Sequence, residues 1–213
     1  MPPKFKSEAE KQAARTQILD AARELFVAKG VEAVTMREIA KKIGYSATTI
    51  YLHFKDKEAL IHALCLTDFR TLGVELSVIL QNPNSVERLI DLGSAYARFA
   101  LAYPNHYRMM FMTEKPPNAL DEDEIDPSWD AYKLLNDVVN DVFQSGHFLP
   151  EHDNPELIAQ TVWAAIHGVC SLEITMKNDC HIAWCDVEAR VRFMQKMILR
   201  GLLKEAVFTK LGE

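Results

Sequence analysis

Apolar positions recur along this chain at the spacing of amphipathic helices, and the alternation typical of strands is nearly absent. In the first predicted helix, residues 8–29, Ile18, Ala22 and Phe26 share one face, and Gly30 ends the helix. Glycine and proline divide the rest of the chain. The further predicted helices span about 36–43, 47–53, 56–81, 84–103, 104–112, 128–145, 154–177 and 185–209. We therefore expect an all-α protein of about nine helices, with an acidic loop over residues 114–128.

The two shortest predicted helices have clear start and stop signals. Thr35 is a good N-cap for the first, and Glu38 stands at capping-box spacing. Gly44 supplies a left-handed turn, and Ser46 can cap the second. Helices this short bury little by themselves, so the long preceding helix must hold them. Three helices around a tight glycine turn form the minimal core of a helix-turn-helix module.

The second short helix is the predicted DNA reader. Threonine hydroxyls bond to base edges, and threonine or alanine methyls pack on thymine. Basic and aromatic side chains near the next helix start can reach phosphates, which helix N-termini also attract. We expect Phe54 in the core, whereas Tyr51 is either a core aromatic or a phosphate contact. The candidate DNA contacts are Thr35, Arg37, Ser46, Ala47, Thr48, Thr49, Tyr51, His53, Lys55 and Lys57.

Charge is divided unevenly along the chain. Residues 1–58 hold 11 Lys and Arg against 8 Asp and Glu, whereas the remainder holds 13 against 22. A basic end and an acidic body are typical of a DNA reader with a separate sensing body, although short windows also differ by chance. We divide the chain into a DNA-binding domain, 1–60, and a C-terminal domain, 61–213, with the boundary inside the long helix 56–81.

Over residues 15–62, many positions resemble the DNA-binding signature of the TetR (tetracycline repressor-like) family. The matching residues are Gly30-x4-Thr35-x3-Ile39-Ala40-x3-Gly44-Tyr45-Ser46-x3-Ile50-Tyr51-x-His53-Phe54-x2-Lys57-Glu58-x-Leu60. The resemblance implies an all-helical homodimer with a small-molecule pocket in its C-terminal body. Thr48 stands where the family often has glycine. The operator sequence therefore does not transfer, and Thr48 is itself a candidate base contact.

The C-terminal body resembles a TetR subgroup named for a Trp-His-Gly motif. That motif is Trp163-Ala-Ala-Ile-His167-Gly168, preceded by a tyrosine-rich segment that begins at Tyr96. An apolar pocket with a few polar tips suits a hydrophobic or aromatic small molecule, although each of these residues is as readily plain core. The candidate effector-binding residues are Phe99, Tyr103, Tyr107, Met110, Phe111, Trp163, His167 and Cys170.

Helix 154–177 has apolar stripes on two opposite sides, which predicts burial on both. Its small-residue side allows close helix approach, so we assign it, together with a stripe of the last helix, to a two-fold dimer interface. Ordinary core within one chain is the alternative. The candidate interface residues are Thr161, Ala165, Gly168, Leu172, Val191, Met194, Ile198 and Leu202.

Other classes of protein find little support in the sequence. No nucleophile elbow, phosphate loop or metalloprotease motif is present, so we assign no catalytic residue and expect no enzyme. Cys180-His181-x3-Cys185 invites a zinc interpretation but lacks a second ligand pair, so we expect no metal or cofactor. Four cysteines, no apolar run near the roughly 18 residues of a membrane span and no signal-like start favour a cytoplasmic protein.

These features predict a ligand-responsive DNA-binding transcriptional regulator, a repressor that a small molecule releases from a palindromic operator. Its expected partners are double-stranded DNA, a hydrophobic or aromatic effector and a second copy of the chain, and no membrane. A constitutive regulator without ligand, an activator, and a small-molecule carrier or enzyme with a vestigial helix-turn-helix are the alternatives.

Overall fold

The computed structural model describes residues 7–114 and 130–212. Within them the chain is all-α, as predicted, and the predicted acidic loop lies outside them except for Glu114. The helices are α1 (Glu8–Lys29), α2 (Met36–Lys42), α3 (Ala47–Tyr51), α4 (Lys57–Ser77), α5 (Ser85–Ala102), α6 (Pro104–Phe111), α7 (Ala131–Gln144), α8 (Pro155–Met176), α9 (Val187–Leu202) and α10 (Glu205–Phe208), with 3₁₀ turns at Val78–Gln81 and Thr209–Gly212.

The end of the chain differs from the prediction of one helix over 185–209. Helix α9 stops at Leu202, and Leu203 is extended, with φ −92° and ψ 147°. Leu203 forms an antiparallel bridge with Phe148, and the Leu149 amide donates to the Leu202 carbonyl at 2.8 Å. Pairing with a distant segment thus breaks the helix, and no local periodicity reports such a contact.

The chain divides into two compact units. The first comprises the described parts of Met1–Thr71 and Tyr103–Asp126, and the second those of Leu72–Ala102 and Pro127–Glu213. Helix α4 runs from one unit into the other between Thr71 and Leu72, and α6 belongs to the first unit. The assignment of 1–60 and 61–213 as functional domains stays a prediction.

The core of the first unit forms where α1, α2, α3, α6 and the start of α4 meet. Phe26, Ile39, Ile50 and Leu60 are each fully buried, one from each of the first four helices, and Met109 of α6 joins them. Phe54 is buried as predicted, at 3% exposure. Because α2 and α3 have only seven and five residues, this shared core fixes their orientation.

A buried ion pair joins α1 to α4 inside the first unit. The Arg23 guanidinium donates to the Asp68 carboxylate, with Nη2 2.6 Å from Oδ1, and the two side chains are 4% and 0% exposed. His106 of α6 places Nδ1 3.1 Å from the same oxygen. Burial opposes the charge on Arg23, but the hydrogen bonds that it donates to Asp68 and Asp20, together with the charges of both carboxylates, outweigh burial and raise the arginine pKa.

We expect Arg23→Met to destabilise the protein by about 3–5 kcal/mol, because it strands the buried Asp68 charge. Urea unfolding measures the loss. The matched control is Lys133→Met, which breaks the exposed Lys133–Asp137 pair and should change the unfolding free energy by less than about 0.5 kcal/mol. Equal stability of the two variants would contradict a structural role for the buried pair.

The second unit is a bundle in which α5 packs against α7, α8 and α9, and α8 also packs against α7 and α9. Leu92, Val138, Ile166 and Leu199 are among its buried residues. Of the described helices, α8 alone is long and apolar enough to cross a membrane by length and composition. It contains no unbroken apolar run of that length, because Glu156, His167 and Glu173 interrupt it. Core helices of soluble proteins pass the same test.

Candidate functional site

The helix-turn-helix lies in the first unit with the caps that the sequence predicted. The Thr35 hydroxyl accepts from the Glu38 amide at 3.2 Å, and the Ser46 hydroxyl accepts from the Thr49 amide at 3.1 Å. Gly44 adopts φ +71° between α2 and α3, a conformation that side chains with a Cβ rarely adopt. The Glu38 carboxylate pairs with Lys29, which lowers the glutamate pKa, and the Thr35 backbone N–H lowers it further, as expected for the second half of a capping box.

The residues predicted to contact DNA differ in exposure. Thr35, Arg37, Ser46, Thr48, Tyr51 and Lys55 are exposed, whereas Ala47, His53 and Lys57 are half-buried. The expectation that Thr49 faces outward was wrong, since only 1% of it is exposed. Its hydroxyl lies 2.8 Å from that of Ser46. This threonine is therefore part of the buried side of the α3 N-cap.

The start of α4 adds a second element to this surface. Asp56 caps the helix by accepting from the Ala59 amide at 2.8 Å. Lys55, just before it, has a side chain that is 90% exposed. Lys57 reaches back to the Glu32 carbonyl, at 3.5 Å. An exposed lysine and a tethered one therefore flank the N-terminus of α4, where backbone N–H groups also favour an anion.

Two basic residues of α1 belong to the same region and were missed by the sequence analysis. The Arg15 guanidinium lies over the Phe54 ring, 4.9 Å from its centroid. Burial lowers the pKa of His53, and the positive charges of Lys11 and Arg15 lower it further. The i, i+4 spacing of Lys11 and Arg15 was visible in the sequence, but nothing local placed it beside α3.

A hydrogen-bonded relay crosses the second unit between α5 and α8. The Trp163 indole N–H donates to the Tyr96 hydroxyl at 3.2 Å, and that hydroxyl lies 3.1 Å from His167 Nδ1. Burial lowers the pKa of His167. The Tyr96 hydroxyl can accept from tryptophan and at the same time donate its own proton to Nδ1. This fits a neutral imidazole that carries its proton on Nε2.

The eight residues predicted to bind an effector fall into both units. Phe99, Trp163, His167 and Cys170 lie in the second unit, and Tyr103, Tyr107, Met110 and Phe111 lie in the first. Tyr107 and Met110 are buried, with the Tyr107 and Phe111 rings 5.0 Å apart, whereas Tyr103 is 39% exposed. Cys170 is fully buried, and burial raises the pKa of its thiol to about 12. It therefore stays protonated and chemically inert.

An apolar stripe of α8 is open to solvent. Leu157, Thr161 and Leu172 are exposed, and a Cβ added to the half-buried Gly168 would meet no atom within 4 Å. The predicted partner stripe on α9 is less open, because Val191 is buried within the chain and Met194, Ile198 and Leu202 are half-buried. The exposed apolar face of α9 therefore differs from the predicted one. Its large exposed apolar residues are Phe193 and Met197, at 66% and 57%.

Two family models match this chain. The model for bacterial regulatory proteins of the tetR family covers residues 18–64, and the one for the tetracyclin repressor-like C-terminal domain covers residues 89–192. Together they account for more than two thirds of the sequence. The protein belongs to the tetR family. The first match contains the whole α2–α3 module, and the second contains the Tyr96–Trp163–His167 relay.

Curated relatives match this chain in sequence over a short part of its length. The HTH-type transcriptional regulator UidR of Escherichia coli K12 is 46% identical over 61 residues, which is 29% of this chain and 31% of UidR. The chain thus spans about a third of the length of the curated relatives it matches.

Similarity of fold extends much further. A TetR family transcription regulator from Marinobacter aquaeolei VT8 superposes with a TM-score of 0.75 at 18% identity, over 93% of this chain and 100% of its own. The fatty acid degradation regulator FadR from Bacillus halodurans gives 0.68 at 19%, over 92% and 97%. At these identities the structures establish the tetR-family fold alone.

We expect Tyr96→Phe to destabilise the protein by about 1–3 kcal/mol, because it removes the oxygen to which the Trp163 indole donates. Chemical unfolding measures the change. Tyr132→Phe is the matched control: its hydroxyl accepts from exposed Gln160, so the cost should stay below about 0.5 kcal/mol. The relay is unimportant for stability if the two variants unfold at the same denaturant concentration.

Proposed function

We propose that this protein is a ligand-responsive DNA-binding transcriptional regulator of the cytoplasm, a repressor that a hydrophobic small molecule releases from a palindromic operator. The observation that carries the proposal is the α2–α3 module, whose reader helix is capped at its start, buried on one face and exposed on the other. Membership of the tetR family supports it. The curated relatives that match, UidR among them, are named as transcriptional regulators.

In the proposed complex, α3 enters the major groove, where Thr48 and Ala47 meet base edges. Tyr51 and Lys55, both exposed, reach phosphates on either side of the groove. Thr49 is left out of this set because it is buried in the α3 cap. Arg15 joins it, held by the Phe54 ring beside α3.

Phosphate contacts also come from two helix starts. Thr35 and Arg37 are exposed at the start of α2, and Lys55 and Lys57 flank the start of α4. Ser46 stays at the start of α3, where its exposed hydroxyl already caps the helix. These contacts would fix the position of α3 on the duplex without reading sequence.

We expect Lys55→Ala combined with Lys57→Ala to weaken binding to the DNA upstream of the protein's own gene and to flatten its salt dependence. Each lost phosphate contact should reduce the slope of log affinity against log salt by about 0.9, hence by about 3.6 for the four lysines of the proposed dimer. Fluorescence anisotropy across a salt series gives both quantities.

The control for this experiment is Lys177→Ala combined with Lys196→Ala, two exposed lysines of the second unit. These substitutions remove the same charge and should leave the slope unchanged. If both double variants lose the same slope, only net charge matters and the proposed phosphate contacts are wrong. If the unmodified protein prefers no sequence in a selection from random DNA, the proposed function itself fails.

The open stripe of α8 supports a homodimer. Leu157 and Leu172 expose 61% and 43% of their surface, and Phe193 and Met197 of α9 are more than half exposed. Apolar side chains in such number at helical spacing favour a partner. Paired with their two-fold mates, α8 and α9 would form a four-helix interface, and two reader helices would then meet successive major grooves about one helical turn apart.

We expect Gly168→Leu to yield a monomer in multi-angle light scattering, because the added side chain would keep the two α8 helices apart. A Cβ at this position would meet no atom within 4 Å inside one protomer, and we expect the variant to fold, which circular dichroism verifies. Asn140→Leu adds the same side chain to an exposed position of α7 and should leave the dimer intact. If the Gly168→Leu variant dimerises with the same affinity as the unmodified protein, the interface lies elsewhere.

For the effector, we infer membership of the subgroup with the Trp-His-Gly motif. Trp163 and His167 of that motif share the Tyr96 hydroxyl, which fixes both rings on an apolar helix. Fixed aromatic rings and a neutral imidazole suit a hydrophobic molecule with few polar groups. Helix α4 passes through both units, so a ligand that favours one position of this helix could change operator affinity, with coupling of about 1–3 kcal/mol.

A further inference from the structure

The loop between α8 and α9, residues 177–186, is held in place by contacts at both of its ends. The Asp179 amide and the Trp184 indole N–H both donate to the Met176 carbonyl, each at 2.9 Å. Arg190 lies over the Trp184 ring and donates to the Cys185 carbonyl at 3.1 Å. A loop braced in this way presents its side chains in a defined arrangement.

Three different donor groups meet at the tip of this loop. His181 Nδ1 lies 3.1 Å from Asp179 Oδ1 and 3.8 Å from Cys180 Sγ, and the three donor atoms all lie within 4.8 Å of one another. The His181 amide also donates to Asp179 Oδ1, at 2.8 Å, which fixes the carboxylate against the loop. Both contacts of Asp179 with His181 use Oδ1, and neither uses Oδ2.

These separations are close to those that a tetrahedral zinc ion requires of its ligands. With metal–ligand distances of about 2.3 Å for sulfur and about 2.1 Å for nitrogen and oxygen, the nitrogen–sulfur edge is about 3.6 Å and the nitrogen–oxygen edge about 3.4 Å. The corresponding distances in the loop are 3.8 Å and 3.1 Å. Shifts of a few tenths of an ångström would bring these two edges to tetrahedral values, and the third edge, between the sulfur and the carboxylate oxygen, lies within 4.8 Å.

The chemistry of the donors agrees with the geometry. A thiolate and a carboxylate together carry two negative charges, which neutralise a divalent cation, and the imidazole binds as the neutral ring. Cys180 and His181 are exposed and Asp179 is half-buried, so an ion can enter from solvent. Binding would release the thiol proton to water.

We propose that Asp179, Cys180 and His181 form a three-ligand binding site for a thiophilic divalent cation, Zn²⁺ in particular, with its fourth position open to water. This site belongs to the second unit and does not rest on the proposed function. It departs from the sequence-based expectation, which considered Cys180, His181 and Cys185 as zinc ligands and assigned no metal. The structure places Asp179 in the cluster instead.

The test uses the full chain without a tag, kept reduced, and titrated with Co²⁺ as a spectroscopic probe and then with Zn²⁺. We expect one cobalt ion per chain, with a thiolate-to-cobalt charge-transfer band and the intense visible bands of tetrahedral cobalt, displaced by one equivalent of zinc. Cys180→Ser should abolish the charge-transfer band. His181→Gln and Asp179→Asn should each weaken zinc binding at least tenfold in calorimetry.

The matched controls are Cys185→Ser, which removes the other exposed thiol of the loop, and His152→Gln, which removes a histidine outside it. Both should keep the band and the affinity. A band lost with Cys185→Ser but kept with Cys180→Ser would overturn the assignment, as would the absence of any thiolate band. All of these positions lie at the surface, and circular dichroism verifies that each variant is folded.

Alkylation gives a second measurement that needs no cobalt. In the metal-free protein, Cys180 and Cys185 are exposed and should both react quickly, whereas Cys65 and Cys170 are buried and should not. Zinc should protect Cys180 selectively, with at least a tenfold slower rate by mass spectrometry. If zinc protects neither thiol, or protects Cys185 alone, the proposed ligand set is wrong.

Discussion

Asp68 is a carboxylate without contact to water, and the first unit is arranged around it. Its charge is compatible with complete burial only because Arg23 of α1 donates to it, with His106 of α6 beside the same oxygen. The three residues come from three helices that are distant in sequence. The Asp68 carboxylate therefore fixes the positions of these three helices relative to one another, including the orientation of α1.

The orientation of α1 in turn decides that of the DNA-binding module. Helices α2 and α3 are too short to persist alone, and their buried residues, such as Ile39 and Ile50, pack in one cluster with Phe26 of α1. Capping by Thr35 and Ser46 satisfies the first amides of both helices locally. The exposed face of α3 is thus presented by a rigid support, as the proposed reading of base edges requires.

The second unit combines an apolar interior with a few fixed polar groups. The Tyr96 hydroxyl connects an indole to an imidazole, while Cys170 nearby on α8 stays a neutral thiol because burial raises its pKa. On its outside, α8 leaves a stripe around Gly168 open. One helix therefore contributes both to the polar relay inside the unit and to the surface proposed for dimerisation.

The sequence by itself determined most of the helix bounds, the caps at Thr35 and Ser46, the turn at Gly44 and the family resemblance, because all of these depend on residues close together in the chain. Only the tertiary structure decided what depends on distant partners. It buried Thr49, ended α9 at Leu202 through pairing with the segment around Phe148, and moved the open face of α9 to Phe193 and Met197. It also brought Arg15 beside Phe54 and gave Asp68 its partners, since periodicity records which face of a helix is apolar but not what that face meets.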